Sequence, residues 1–105
     1  MKEALVIARR WVAIETELGV SKGLTMALTQ VSQLLKAAGQ VPEAIKTLEC
    51  IAQIEEELEN PRGIAMTLAL LYNLQRDSEY FDDAYNTLLR ILEIEGRLKN
   101  QEKIL

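Results

Sequence analysis

The glutamates are the side chains with the most chemical potential in this sequence. They gather in three groups: Glu15 and Glu17, then Glu55 to Glu57 with Glu59, then Glu93 and Glu95. Paired carboxylates on one helix face can do acid–base work or hold metal ions. Helical di-metal sites add a Glu-x-x-His motif, and this chain has no histidine. That removes the commonest general base and the commonest metal ligand. It also excludes serine–histidine and cysteine–histidine nucleophile pairs. The glutamates therefore read as a solvated face, with an acidic patch for a basic partner as the alternative. Cys50 lies in the middle of a helical pattern, away from a cation or a helix N-terminus that would activate it. It reads as a small buried or half-buried hydrophobe. The five glycines are scattered at turns and form no phosphate loop or dinucleotide fingerprint. No catalytic, cofactor-binding or metal-ligating residue is expected, and the chain reads as a non-enzyme.

Such residues need elements to position them, and composition says of what kind. The chain has 105 residues, 49% hydrophobic and 27% charged, which is a globular profile. Strong helix formers dominate, and two prolines interrupt them. The net charge of −4 disfavours phosphate backbones, so nucleic acid is not an expected partner. Arg9-Arg10 reads as the wet side of a helix. A single cysteine permits no intrachain disulfide and fits a reducing compartment. No apolar run approaches the length of a membrane span, and the Ala4–Ala8 run is too short for a signal core. A cytoplasmic location is the expectation.

Shifting the chain by forty residues lays it on itself. Glu3-Ala4-Leu5 meets Glu43-Ala44-Ile45 and then Asp83-Ala84-Tyr85. Ile14-Glu15 meets Ile54-Glu55 and then Ile94-Glu95. Gly23, Met26, Leu28 and Leu34 meet Gly63, Met66, Leu68 and Leu74. Each unit holds two largely apolar stripes at helical spacing, such as the one through Ala44, Leu48, Ile51, Glu55 and Leu58. Punctuation separates them. Gly19 and Gly39 suit left-handed helix ends, Ser21 suits a cap, and Pro42 suits a first turn. Asn60-Pro61 breaks the chain, Asp77-Ser78 closes a helix, and Asp82 or Asp83 suits the positive start of the next. Helices are therefore predicted over 2–18, 22–38, 42–58, 62–77 and 82–99. Short loops make neighbours antiparallel, and the pairs stack. The fold class is all-α: a short α-solenoid of five antiparallel helices in one domain over 1–105, with units near 1–20, 21–60 and 61–105.

The pattern resembles the tetratricopeptide repeat in a 40-residue form. The resemblance rests on Leu28, Val31, Ser32, Leu35, Gly39 and Ala44, and on Leu68, Leu71, Tyr72, Gln75, Glu79 and Ala84 in the next unit. It implies first-type and second-type helices in alternation, with this chain beginning and ending on a second-type helix. It implies that Ala4, Ala44 and Ala84 let helix backbones approach closely. Tyr72, where the family prefers a small residue, and Gln75, where it prefers a large one, depart from the pattern. So do Trp11, Ile51 and Ile91, where a second alanine is usual.

The resemblance also implies a protein or peptide partner and a groove lined by the first-type helices. The groove positions are Met26, Thr29, Gln33, Lys36, Met66, Ala69, Asn73 and Arg76. Only Asn73 matches the residues that clamp a terminal carboxylate in chaperone-binding members, so that ligand is not expected. No polar capping helix closes the pattern. Trp11, Leu70, Tyr72, Tyr85, Leu89 and Leu92 are the candidate self-association residues. The leading expectation is an interaction module that forms a homodimer. A monomeric peptide-binding scaffold, and an engineered or excised repeat fragment without a ligand of its own, are the alternatives.

Overall fold

The structure is a computed structural model that describes residues 2–19 and 22–104, with side chains as far as Asn100. Its helices are α1 (Lys2–Leu18), α2 (Lys22–Ala37), α3 (Val41–Glu57), α4 (Pro61–Asp77) and α5 (Phe81–Ile104). The first four begin and end within one residue of the limits read from punctuation. The fifth runs past its expected end at 99. Asn60 and Asn100 share a repeat position, but Pro61 follows one and Gln101 the other. Proline has no N–H and clashes with the preceding turn, whereas glutamine continues a helix.

The turns share one device. Gly19, Gly39, Glu59 and Glu79 all have positive φ, at 105°, 79°, 53° and 64°. They fall every twenty residues. Gln40 N–H donates to the Leu35 carbonyl and Gly39 N–H to that of Lys36. Asn60 and Glu59 repeat this onto Glu55 and Glu56, and Tyr80 and Glu79 onto Gln75 and Arg76. This is the Schellman closure, which satisfies the last helical carbonyls. Entry into α3, α4 and α5 is equally local. Asn60 caps α4 by accepting from Gly63 N–H at 3.2 Å, and Pro42 sits in the first turn of α3. Asp82 and Asp83 occupy the first turn of α5, where negative charge is favoured. The expected cap Ser21 lies outside the described residues.

Among the described residues, only consecutive helices touch along their backbones. The molecule measures 46 × 36 × 14 Å. Two helix layers about 8–10 Å apart, each with a Cα radius near 2.3 Å, give that thickness. α2 and α4 form one layer, and α1, α3 and α5 the other. Exposed ion pairs tie the odd layer together. Arg9 reaches Glu43 at 3.8 Å, and Arg90 and Arg97 reach Glu49 and Glu56 at 3.1 Å each. Such pairs hold register more than they stabilise.

The core runs through the layers as Val31, Leu35, Ala44, Leu48, Ile51, Ile64, Leu68, Leu71 and Leu74, with Ala8 and Ile94 towards its ends. Ala44 and Ala84 are buried, but Ala4 is exposed. No described helix packs on that side of α1. The chain is an all-α helical repeat.

Candidate functional site

The most informative surface is the outer face of α5, and the repeat itself supplies the control. On α3 the matching face looks towards α4. Leu48 shares a cavity with Leu70 and Leu74 of α4, and the Glu55 carboxylate accepts a hydrogen bond from Thr67 of α4. Leu48 and Ala52 are each only 4% exposed, and Val41 and Ile45 are half-buried against the core. Forty residues on, the same positions are Phe81, Tyr85, Leu88 and Leu92. They are 62%, 62%, 38% and 56% exposed, and Leu89 beside them is 48% exposed. Spacing of 81, 85, 88 and 92 puts them on one side of a helix. Scattered exposed leucines are ordinary, but a contiguous apolar stripe marks an interaction surface.

Three of the six candidate self-association residues, Tyr85, Leu89 and Leu92, come together there. The other three do not join them. Trp11 is half-buried and its indole N–H donates to Glu15 at 3.3 Å. Tyr72 is half-buried, with the Arg76 guanidinium 5.5 Å from its ring centre. Leu70 lies in the trough between α2 and α4. Phe81 and Leu88 belong to the stripe and escaped sequence reasoning. Phe81 stands four residues before Tyr85, which was the available signal. The opposite end of the molecule, on α1, exposes Val6, Ile7, Ile14 and Leu18. Ile7 is the sequence clue to that face, since its repeat partners Thr47 and Thr87 are polar.

The trough gathers part of the expected groove. Met26, Thr29 and Met66 line one stretch, and Gln33 and Lys36 the next, with Leu70 common to both. Ala69, Asn73 and Arg76 are exposed on α4 but do not line it. Charge is segregated between the layers. α2 and α4 carry Lys22, Lys36, Arg62 and Arg76 against the single acid Asp77. α3 alone carries Glu43, Glu49 and Glu55 to Glu57 against Lys46.

Two expectations about chemistry need correction. Cys50 is exposed, not buried. Its position falls on the outer side of α3, away from both α2 and α4. Glu55 is buried rather than solvated. Its carboxylate accepts from the Thr67 hydroxyl at 2.6 Å and lies against Gly63, where a β-carbon would collide with it. The same collision would occur between Glu15 and a β-carbon at Gly23. These Glu–Gly pairs, eight residues apart and repeated at forty, were visible in the sequence as unexplained matches. Burial raises the Glu55 carboxyl pKa above its usual value, opposed by the Thr67 hydrogen bond. At the next joint Gln75 takes this part, accepting from Thr87 at 2.6 Å. That gives the polar Gln75 a partner at the position where the preceding repeat has Leu35.

Among the described residues, no three His, Cys, Asp or Glu side chains converge as metal ligands would. None of their helices is long and apolar enough to cross a membrane. No family model matches the chain, and no curated protein or solved structure matches it.

Proposed function

We propose that this protein is a non-catalytic protein–protein interaction module of tetratricopeptide-like type, which associates with itself through apolar helix faces that no neighbouring helix covers. One observation carries the reading. Four repeat positions that are buried or half-buried on α3 are occupied on α5 by apolar residues as large or larger that lie in water. Burying a leucine or phenylalanine side chain is worth about 1.5–3 kcal/mol relative to leaving it exposed. Covering several at once is a strong drive to associate. The absence of histidine and the scattered glycines support a binding role rather than a catalytic one.

Sedimentation velocity over a wide concentration range tests this. The expected result is a reversible shift from one chain mass to two. A single-chain mass at every concentration would end the reading.

A second reading rests on charge segregation. A trough with Met26, Met66 and Leu70 along it and lysines and arginines around it suits an acidic, apolar peptide on a monomeric scaffold. Fluorescence anisotropy with acidic amphipathic peptides checks it. Lys36→Glu should abolish any binding seen, and binding that ignores this change would not involve the trough.

A further inference from the structure

We infer that the partner of α5 is α5 of a second copy, laid antiparallel across it about a two-fold axis between Leu88 and Leu89. This rests on the self-association reading and adds to it which face is used, what covers it, and in what register.

The first argument concerns what does not fit. If α5 were to receive another repeat, its outer face should resemble that of α3. It keeps Leu88 at the position of Leu48 but departs at three others, Leu89, Leu92 and Gly96. α3 has Ala52 where α4 approaches, and α5 has Leu92, whose bulk would hold a following helix off at that spacing. α3 reaches its next odd neighbour through Glu49 and Glu56, which pair with Arg90 and Arg97. α1 likewise reaches α3 through Arg9, at the repeat position of Glu49. On α5 these two joining positions are Leu89 and Gly96. Both carboxylates are gone, and one is replaced by an apolar group. The face is built to meet another apolar surface, not another turn of the repeat.

The second argument concerns what does fit. In an antiparallel helix pair, facing residues have numbers with a constant sum. An axis between Leu88 and Leu89 pairs Leu88 with Leu89, Tyr85 with Leu92, and Phe81 with Gly96. All six positions lie on one face of α5. Gly96 is otherwise unexplained. Glycine inside a helix is unfavourable by about 1 kcal/mol relative to alanine, and a β-carbon there would meet nothing within the chain. A facing phenylalanine gives that gap a purpose, because a large ring packs best over a residue without a side chain. The same register carries Lys99 towards the acidic start of the partner helix, where Glu79 and Asp82 lie.

The third argument is area. With about 200 Å² for a fully exposed residue of this size, Phe81, Tyr85, Leu88, Leu89 and Leu92 expose roughly 500 Å² per copy. Two copies remove roughly 1,000 Å² before the flanking residues are counted, which reaches the lower bound for a specific interface. A two-fold pairing also closes on itself and leaves no α5 face to propagate.

Two experiments test the register. Gly96→Arg fills the gap, and its β-carbon would meet nothing within 4 Å in its own chain. It should raise the dimer dissociation constant at least about tenfold, with helicity by circular dichroism unchanged or higher. Leu89→Glu should weaken the dimer to a similar degree. For direction, Tyr85→Cys and Leu92→Cys are each made with Cys50→Ser, mixed, and oxidised. The expected product is the mixed 85–92 disulfide. Predominant 85–85 and 92–92 products would show parallel helices and overturn the register. A dimer that survives both Gly96→Arg and Leu89→Glu, yet falls apart with Ile7→Glu on α1, would overturn the inference and leave the self-association reading standing. A wild-type chain that is monomeric throughout would overturn both.

Discussion

The α3–α4 joint and the α4–α5 joint solve one problem with different chemistry. In each, a threonine hydroxyl donates across the helix pair to an oxygen twelve residues earlier, at 2.6 Å, in a buried setting. In the first joint the acceptor is the Glu55 carboxylate, and in the second it is the Gln75 carboxamide. The geometry is nearly the same and the electrostatics are not. Burying an ionised carboxylate costs far more than burying an amide, so the group responds by raising its pKa. The Glu55–Thr67 pair should therefore respond to pH, whereas the neutral Gln75–Thr87 pair should not. A further difference lies in the donors. Thr87 also reaches the Asp83 carbonyl at 3.0 Å, whereas among the described residues Thr67 has Glu55 as its acceptor.

The largest expected effect that separates the joints is Thr67→Val. It strips a buried carboxylate of its donor and should destabilise the fold by about 1–3 kcal/mol at pH 7. The loss should shrink on acidification, because the protonated acid needs the donor less. Urea denaturation at fixed protein concentration measures both. Thr87→Val should cost less, about 1 kcal/mol, and equally at pH 5 and pH 7, since a neutral amide does not titrate. Equal losses and equal pH dependence for the two valine variants would erase the distinction.

Glu55→Gln converts the first joint into a copy of the second. It should stabilise the fold by about 0.5–1 kcal/mol at pH 7. The sign follows from linkage. A carboxyl whose pKa is raised by folding favours the folded state while it is protonated, below its unfolded pKa. That contribution is lost as pH rises through the folded pKa. The gap between Glu55→Gln and wild type should therefore close as pH falls from 7 towards the ordinary glutamate value of 4.5, read from urea midpoints. A gap that widens would reverse the sign and refute the account. Gln75→Leu is the smallest change expected, within about 0.5 kcal/mol. It restores the residue found at the matching Leu35 and leaves Thr87 its bond to Asp83. Thermal melts of the two chains should nearly superimpose.

Much of the fold was legible because its causes are local. Gly19, Gly39, Pro42, Asn60 and Asp82 act within one turn of their own positions, so helix ends could be placed to a residue where such punctuation exists. The end of α5, expected at 99, falls later because no proline or glycine follows Lys99 to stop the helix. The site was legible only in part. Tyr85, Leu89 and Leu92, singled out for their apolar character on the last helix, lie exposed on one face of it. Trp11, Leu70 and Tyr72 look just as apolar in the sequence, yet each is occupied by local contacts or lies in another surface. Ala4 shares its repeat position with Ala44 and Ala84 and still lies exposed.

Periodicity at forty and at helical spacing, with glycine, proline and asparagine at the joints, determined the five helices and their alternation, because hydrophobic pattern and backbone preference are properties of the chain itself. Burial is not such a property. Glu55 enters the interior, Cys50 stays in water, and the α5 stripe lies open only because of which helix stands beside each of them. Identical repeat positions thus acquire different environments, and only the stacking of layers assigns them.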